Sequence, residues 1–205
     1  MFKKPGVVAR EYIAGRRQKY FRPLNFFLIV AAVVVFMTSS FYKSDDNRST
    51  KLELQAQTMA NAEQKKRMLE TASRIKTVST FTEKYSNVIY MMAVPFLSLL
   101  FWLFYRTRFN YIESLVANMY ITGFTLLLYA LLVVPLRRLI PGSGFILLIL
   151  FFLFEIIYRG WAYSQLENRK GMVALLKAYS VSTLISGLWA FSTYSLIAYY
   201  IKNGF

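Results

Sequence analysis

Residues 143–163, SGFILLILFFLFEIIYRGWAY, decide the fold class: twelve uncharged residues are followed by Glu155 and, four positions later, by Arg159. An apolar run of this length reads as a membrane-spanning helix. An ionisable side chain inside such a helix costs about 2.5 to 3.5 kcal/mol on insertion scales, so something must offset it. At i,i+4 spacing both charges lie on one helix face. An ion pair within the helix, with Arg159 also reaching toward the headgroups, is the simplest offset. The other reading is a functional charge site.

The rest of the chain extends the pattern. Its 205 residues are 56% hydrophobic, and long apolar blocks alternate with charged ones, the signature of a membrane protein rather than a soluble domain. The net charge of +15 sits largely beside apolar spans, where it reads as orientation and anionic-lipid contact rather than nucleic-acid binding. Cysteine and histidine are both absent, which removes disulfides, thiolate nucleophiles, Cys/His zinc sites and every Ser-His or Cys-His mechanism. Carboxylate-held metals need several oxygen ligands, and only Glu113 and Glu155 lie near the spans. No metal and no cofactor are expected.

The expected fold is all-α: a polytopic integral membrane protein with about five transmembrane helices. Residues 1–23 carry Lys3, Lys4, Arg10, Arg16, Arg17, Lys19 and Arg22 against a single Glu11. They read as a basic cytoplasmic segment lying on the headgroups, entered by a Pro5-Gly6 turn. Residues 24–42 form span 1, a retained anchor because no small-residue cleavage site follows its core. Residues 43–86 are the polar extramembrane region: a turn at Asp45-Asp46-Asn47, then Thr50-Lys51-Leu52-Glu53, a capping-box pattern that starts a helix near Lys51. Leu52, Met59, Ala62 and Leu69 sit near heptad spacing, with Met68, Ala72 and Ile75 beside them, but Lys66 interrupts the seam. An amphipathic helix is therefore expected, not a coiled coil.

Residues 87–205 form a four-helix membrane domain with spans at 87–105, 111–136, 143–163 and 172–201. Pro95 predicts a kink in the second span, and Pro135 predicts an end or bend in the third. Ser114, Asn118, Thr122, Thr125 and Tyr129 follow helical steps, giving a polar stripe that must face protein or water. The Pro141-Gly142 turn precedes the fourth span, and a polar turn with Glu167, Arg169 and Lys170 follows it. Ala178, Ser182, Ser186 and Ala190 recur every four residues as a helix-packing ribbon.

The basic N-terminal block argues for a cytoplasmic N-terminus, so five spans put the C-terminus outside; Arg137 and Arg138 then fall on the outer face, against the usual bias. With that topology Glu113, Glu155, Arg159 and Lys177 all lie in the inner-leaflet half, an intramembrane charge cluster. Depth alone suggests a polar vestibule between spans 3 to 5, with Glu155 in salt-bridge reach of Arg159 or Lys177.

Several residues together resemble an uncharacterised family of small bacterial membrane proteins: Pro5-Gly6, Arg10-Glu11-Tyr12-Ile13, Gly15-Arg16-Arg17 and Tyr20-Phe21-Arg22-Pro23, with Tyr111-Ile112-Glu113 and Tyr158-Arg159. The resemblance covers most of the chain apart from the polar region, and it implies a helical membrane fold in the bacterial inner membrane. Many members carry a zinc ribbon before the Pro-Gly block, and histidines after the glutamate of the third span. Here no zinc ribbon is seen and Ser114 follows Glu113, so chemistry tied to those histidines is not carried over. The family has no settled activity to lend.

The leading functional expectation is a non-enzymatic subunit or scaffold of a larger membrane assembly. Its partners would be the bilayer, anionic headgroups at the N-terminal segment, and other membrane subunits or a second copy of itself. The alternative is a small carrier or channel for an ion, proton or lipid headgroup along the stripe and charges. No repeated halves or glycine-broken helices support a transporter. A lipid enzyme with Glu155 or Glu113 as base ranks last, since no nucleophile, metal set or phosphate loop accompanies either.

Overall fold

Long runs of Leu, Ile, Phe, Val and Ala satisfy their own backbone bonds as helix, which is what a bilayer demands of a spanning segment. The computed structural model describes residues 4–41, 47–59, 61–140, 142–168 and 171–204, and all regular structure among them is helical. Lys3, Tyr42, Lys43, the Asp45-Asp46 turn residues, Pro141, Arg169 and Lys170 lie outside the described residues. The elements are α1 (Pro5–Ile13), a 3₁₀ turn (Arg17–Lys19), α2 (Pro23–Phe41), α3 (Asn47–Gln57) and α4 (Ala62–Tyr105). They continue with α5 (Tyr111–Leu128), a π-helical turn (Tyr129–Val133), α6 (Val134–Leu139), α7 (Gly144–Glu167) and α8 (Met172–Asn203). Among the described residues, five stretches are long and apolar enough to cross a membrane: Arg17–Phe41, Val88–Tyr105, Tyr111–Leu139, Gly144–Glu167 and Met172–Asn203.

The chain divides into two compact units. The first comprises Met1–Tyr42 and Tyr90–Trp189. Within it α2 lies alongside α5, and Phe27, Val30 and Val34 are buried together with Leu126 and Ala130. Gly123 permits this approach, because a Cβ there would come within 2.8 Å of the Phe26 ring. A second buried cluster joins α1, α4, α5, α7 and α8 through Ala9, Phe101, Tyr105, Ile121, Tyr163 and Ile185. α7 and α8 meet at Gly160, where a Cβ would lie 2.5 Å from the Tyr179 ring, and the Ser182 hydroxyl donates to the Ile156 carbonyl at 2.7 Å. Of the small-residue ribbon, Ala178, Ser182 and Ser186 are buried and Ala190 is exposed.

The second unit comprises Lys43–Ile89 and Ala190–Phe205. Asn61 opens α4 as a helix cap, its side-chain oxygen accepting the Glu63 N–H at 3.0 Å. Arg74 donates to the Ile201 and Lys202 carbonyls at 3.1 and 2.9 Å, so a cation closes the C-terminal end of α8. Ala72 of the neighbouring stripe is buried, whereas Met59 and Leu69 of the heptad set are exposed.

Four local expectations change. Pro5 stands at the first helical position instead of in a turn, the place where its missing N–H costs nothing. The polar region's first helix starts at Asn47, ahead of the Thr50 pattern, and the chain breaks before a second helix begins at Ala62. α4 runs through Pro95, and its non-helical residue is Tyr85, at φ −114° and ψ 16°. The third span also continues past Pro135 to Leu139. Proline cannot donate to the carbonyl four residues back, and the preceding turn is π-helical, with the Val134 N–H bonded to the Tyr129 carbonyl.

Candidate functional site: a buried arginine between two helices

The polar stripe of α5 and the charge pair of α7 meet. Arg159 is 0% exposed. Its Nη2 lies 2.5 Å from Glu155 Oε1 on the same helix, and it reaches across to α5, donating to Asn118 Oδ1 at 3.2 Å and Thr122 Oγ1 at 3.5 Å. Tyr163, one turn further along α7, donates its hydroxyl to the same Asn118 oxygen at 3.0 Å. Asn118 in turn donates through Nδ2 to the Ser114 carbonyl at 3.0 Å. Two further stripe hydroxyls bond their own helix, Ser114 to the Asn110 carbonyl and Thr125 to the Thr122 carbonyl. The Nε of Arg159 is buried without a bond partner among the described residues. Two hydrogen bonds to α5 and one adjacent carboxylate thus hold a buried guanidinium, the arrangement that makes an interior charge tolerable.

The other two charges of the expected cluster lie elsewhere. Glu113 closes a capping box at the start of α5, accepting the Asn110 N–H at 2.8 Å. Lys177 holds its ammonium 4.4 Å from the centre of the Tyr105 ring, a cation–π contact.

α1 is also part of this region, a role that composition did not reveal. A Cβ on Gly6 would stand 2.0 Å from the Ala162 carbonyl oxygen, so α1 seats its backbone directly on α7. The Gly6 N–H donates to Gln165 Oε1 at 3.2 Å and Arg10 Nη1 donates to the Gln165 carbonyl at 3.1 Å. Tyr12 meets Tyr120 of α5 edge to face at 5.7 Å. The available signals were Gly6 beside Pro5 and the small Ala9, both of which read equally well as a turn and a spacer.

Beyond α1, Glu11 gathers the loop. Tyr20 donates its hydroxyl to Glu11 at 2.7 Å, and Lys19 and Arg16 lie 3.3 and 3.7 Å away. The Tyr20 bond above all, helped by the Lys19 bond and the two cations, holds the carboxyl below its ordinary range against the opposing effect of burial, which is second only to the Tyr20 bond. A depressed folded-state value means the stabilisation is full above the unfolded carboxylate range and is lost as pH falls through the lower, folded value. Acidification through that window is therefore expected to release the 14–22 loop to pepsin at Tyr20 and Phe21, and E11Q should open the same loop to trypsin at Arg16, Arg17 and Lys19 at neutral pH.

The levels of these groups follow from helix register. The Tyr120 hydroxyl donates to the Phe21 carbonyl, and Phe26 and Phe27 pack at Gly123. α2 and α5 therefore run parallel, and α2 begins beside Tyr120. Residues 111–119 of α5 project beyond that point by about 13 Å at 1.5 Å per residue. Since Arg159 bonds Asn118 and Thr122, it lies level with Arg22 and the start of α2.

The fold and site define a helical protein with five candidate membrane spans among the described residues, two of them cross-linked by a buried arginine. Residues 1–35 match the model of a family described as a protein of unknown function (DUF3667). The matched block contains α1, its Gly6 seat and the entry to α2. The chain matches no curated protein and no solved structure.

Proposed function

We propose that this chain is a non-enzymatic integral membrane protein, a subunit or scaffold of a larger assembly. Its location is the bacterial inner membrane, with the N-terminus cytoplasmic and the C-terminus outside. The observation that carries this reading is Arg159: it is wholly buried, and its bonds run to Glu155, Asn118 and Thr122, so the polar groups between α5 and α7 join helices rather than line a path. A carrier would need those same groups open to a passing solute.

The apolar length of α2, 19 residues, corresponds to about 28 Å at 1.5 Å per residue, close to a hydrocarbon core of about 30 Å. Taking α2 as the measure of that core sets Arg159 at its edge beside Arg22, where a charge costs less than at the centre. α1 then lies at headgroup depth, its basic residues available to anionic lipids. Partners are the bilayer and other membrane subunits or a second copy.

The test is purification from the native membrane in mild detergent, then native mass spectrometry and identification of what is retained. A stoichiometric protein partner or a homo-oligomer is the expected result. A lone chain whose Glu155→Gln variant stays folded but loses an ion flux would sink the scaffold reading.

A further inference from the structure

Between α5 and α7 lies an apolar trough of about 550 Å³. Leu128 and Leu132 form one wall, Phe154, Ile157 and Trp161 the other, and Tyr179 of α8 flanks it. The volume falls within the range of about 300–1,000 Å³ typical of ligand pockets. The π-helical turn contributes Leu132 and Val133 to its lining, displaced from the positions a regular helix would give them.

α1 packs one helical turn beyond one end of this trough. The α7 residues that seat α1, Ala162 and Gln165, stand four positions beyond the trough residues Tyr158 and Trp161, and Tyr120, which meets Tyr12, stands four before Phe124. Residues four apart share a helix face, so α1 lies across the same face as the trough, at its Arg22-level end. That end is positive. Lys4, exposed, immediately precedes α1 and Arg10 lies on it, while the helix's one acid, Glu11, is already engaged by Tyr20, Lys19 and Arg16.

We propose that trough and α1 together bind one glycerophospholipid with a net-negative headgroup: an acyl chain lies along Leu128, Leu132 and Phe154, and the phosphate sits against Lys4 and Arg10. Charge complementarity selects the headgroup. An uncharged apolar trough alone would take the chain of any surrounding lipid. The inference rests on the reading of the chain as a membrane protein, and it adds a lipid specificity that a scaffold does not require.

Trp161 gives a direct readout. W102F/W189F leaves Trp161 as the sole tryptophan, and this protein is placed in phosphatidylcholine nanodiscs carrying a small fraction of lipid brominated on the acyl chain. Far-UV circular dichroism and co-elution with the disc come first, so a chain that does not enter the bilayer is recognised as failure of the membrane reading before any quenching is recorded.

Brominated phosphatidylglycerol is then expected to quench Trp161 with an apparent affinity about fivefold above that of brominated phosphatidylcholine, the factor one surface cation supplies. K4E, which breaks no bond seen in the fold, should abolish that preference. L128F/L132F, which fills the trough, should reduce quenching by both lipids. Equal quenching by the two lipids, a preference that survives K4E, or quenching indifferent to the filled trough would each overturn the proposal.

Discussion

R159A is expected to destabilise the protein by about 3 kcal/mol or more, the scale seen when one partner of a buried ion pair is removed. Glu155, only 24% exposed on its side chain, is left facing α5 without its cation, and the Thr122 hydroxyl and one lone pair of Asn118 lose a donor. The measurement is thermal unfolding in detergent followed by circular dichroism. R159M/E155L should recover most of the loss, because exchanging both charges for apolar groups of similar volume is often neutral or better. Asn118 keeps its bond from Tyr163 in that variant. A single R159A variant as stable as wild type would mean that the guanidinium is not a cross-link, and the scaffold reading would lose its principal support.

The second large effect is expected at Gly6. G6V places carbon atoms where the Ala162 carbonyl oxygen already stands, 2.0 Å from the ideal Cβ, and the obstacle is helix backbone that cannot swing aside. Overpacking typically costs about 1–3 kcal/mol, and here the direct relief is for α1 to leave α7. Undocking would expose Val8 and Ala9 and break the Gly6 and Arg10 bonds to Gln165. Limited trypsin digestion should then cut at Arg10 far faster than in wild type, with the spans intact on the gel. Gly187 serves as the control, because a Cβ there would meet nothing within 4 Å. G187A should leave both the digestion pattern and the melting curve close to wild type.

The two variants separate two layers of the design. The first tests the bond network between α5 and α7; the second tests whether α1 belongs to the helical body or merely rests on lipid. The second bears on the block matched by the family model, since residues 1–35 contain Gly6 and Arg10 and deliver the chain to α2 at Pro23. A docked α1 also gives the lipid trough its positive end. G6V is accordingly expected to weaken the phosphatidylglycerol preference together with the docking.

Much of the helical framework was legible in the residues because it depends on local properties. Apolar runs long enough to cross a bilayer announce themselves by length, as residues 143–163 do. The i,i+4 spacing of Glu155 and Arg159 already defines a shared face, and the steps from Ser114 to Thr125 define another. What spacing cannot supply is which face meets which. Depth arithmetic grouped Glu113, Glu155, Arg159 and Lys177, yet rotation about each helix axis sends Glu113 to a cap and Lys177 to the Tyr105 ring. Tyr163 escaped notice because an aromatic at a span's end reads as an interface anchor, whereas its hydroxyl completes the Asn118 junction.

Proline shows the same division. Pro95 and Pro135 each predict a disturbed helix, since each lacks a donor and crowds the preceding turn. Neighbouring backbone decides the outcome: a π-helical turn precedes Pro135, and the departure in α4 falls at Tyr85. The sequence by itself determined where apolar helices run and which polar residues share a face, because burial of backbone bonds and helical periodicity are properties of one segment. Only the tertiary structure decided that Arg159 is a cross-link and that α1 seats on α7. Those outcomes depend on the relative rotation and register of helices far apart in the chain, set by close contacts at Gly6, Gly123 and Gly160 that no single segment encodes.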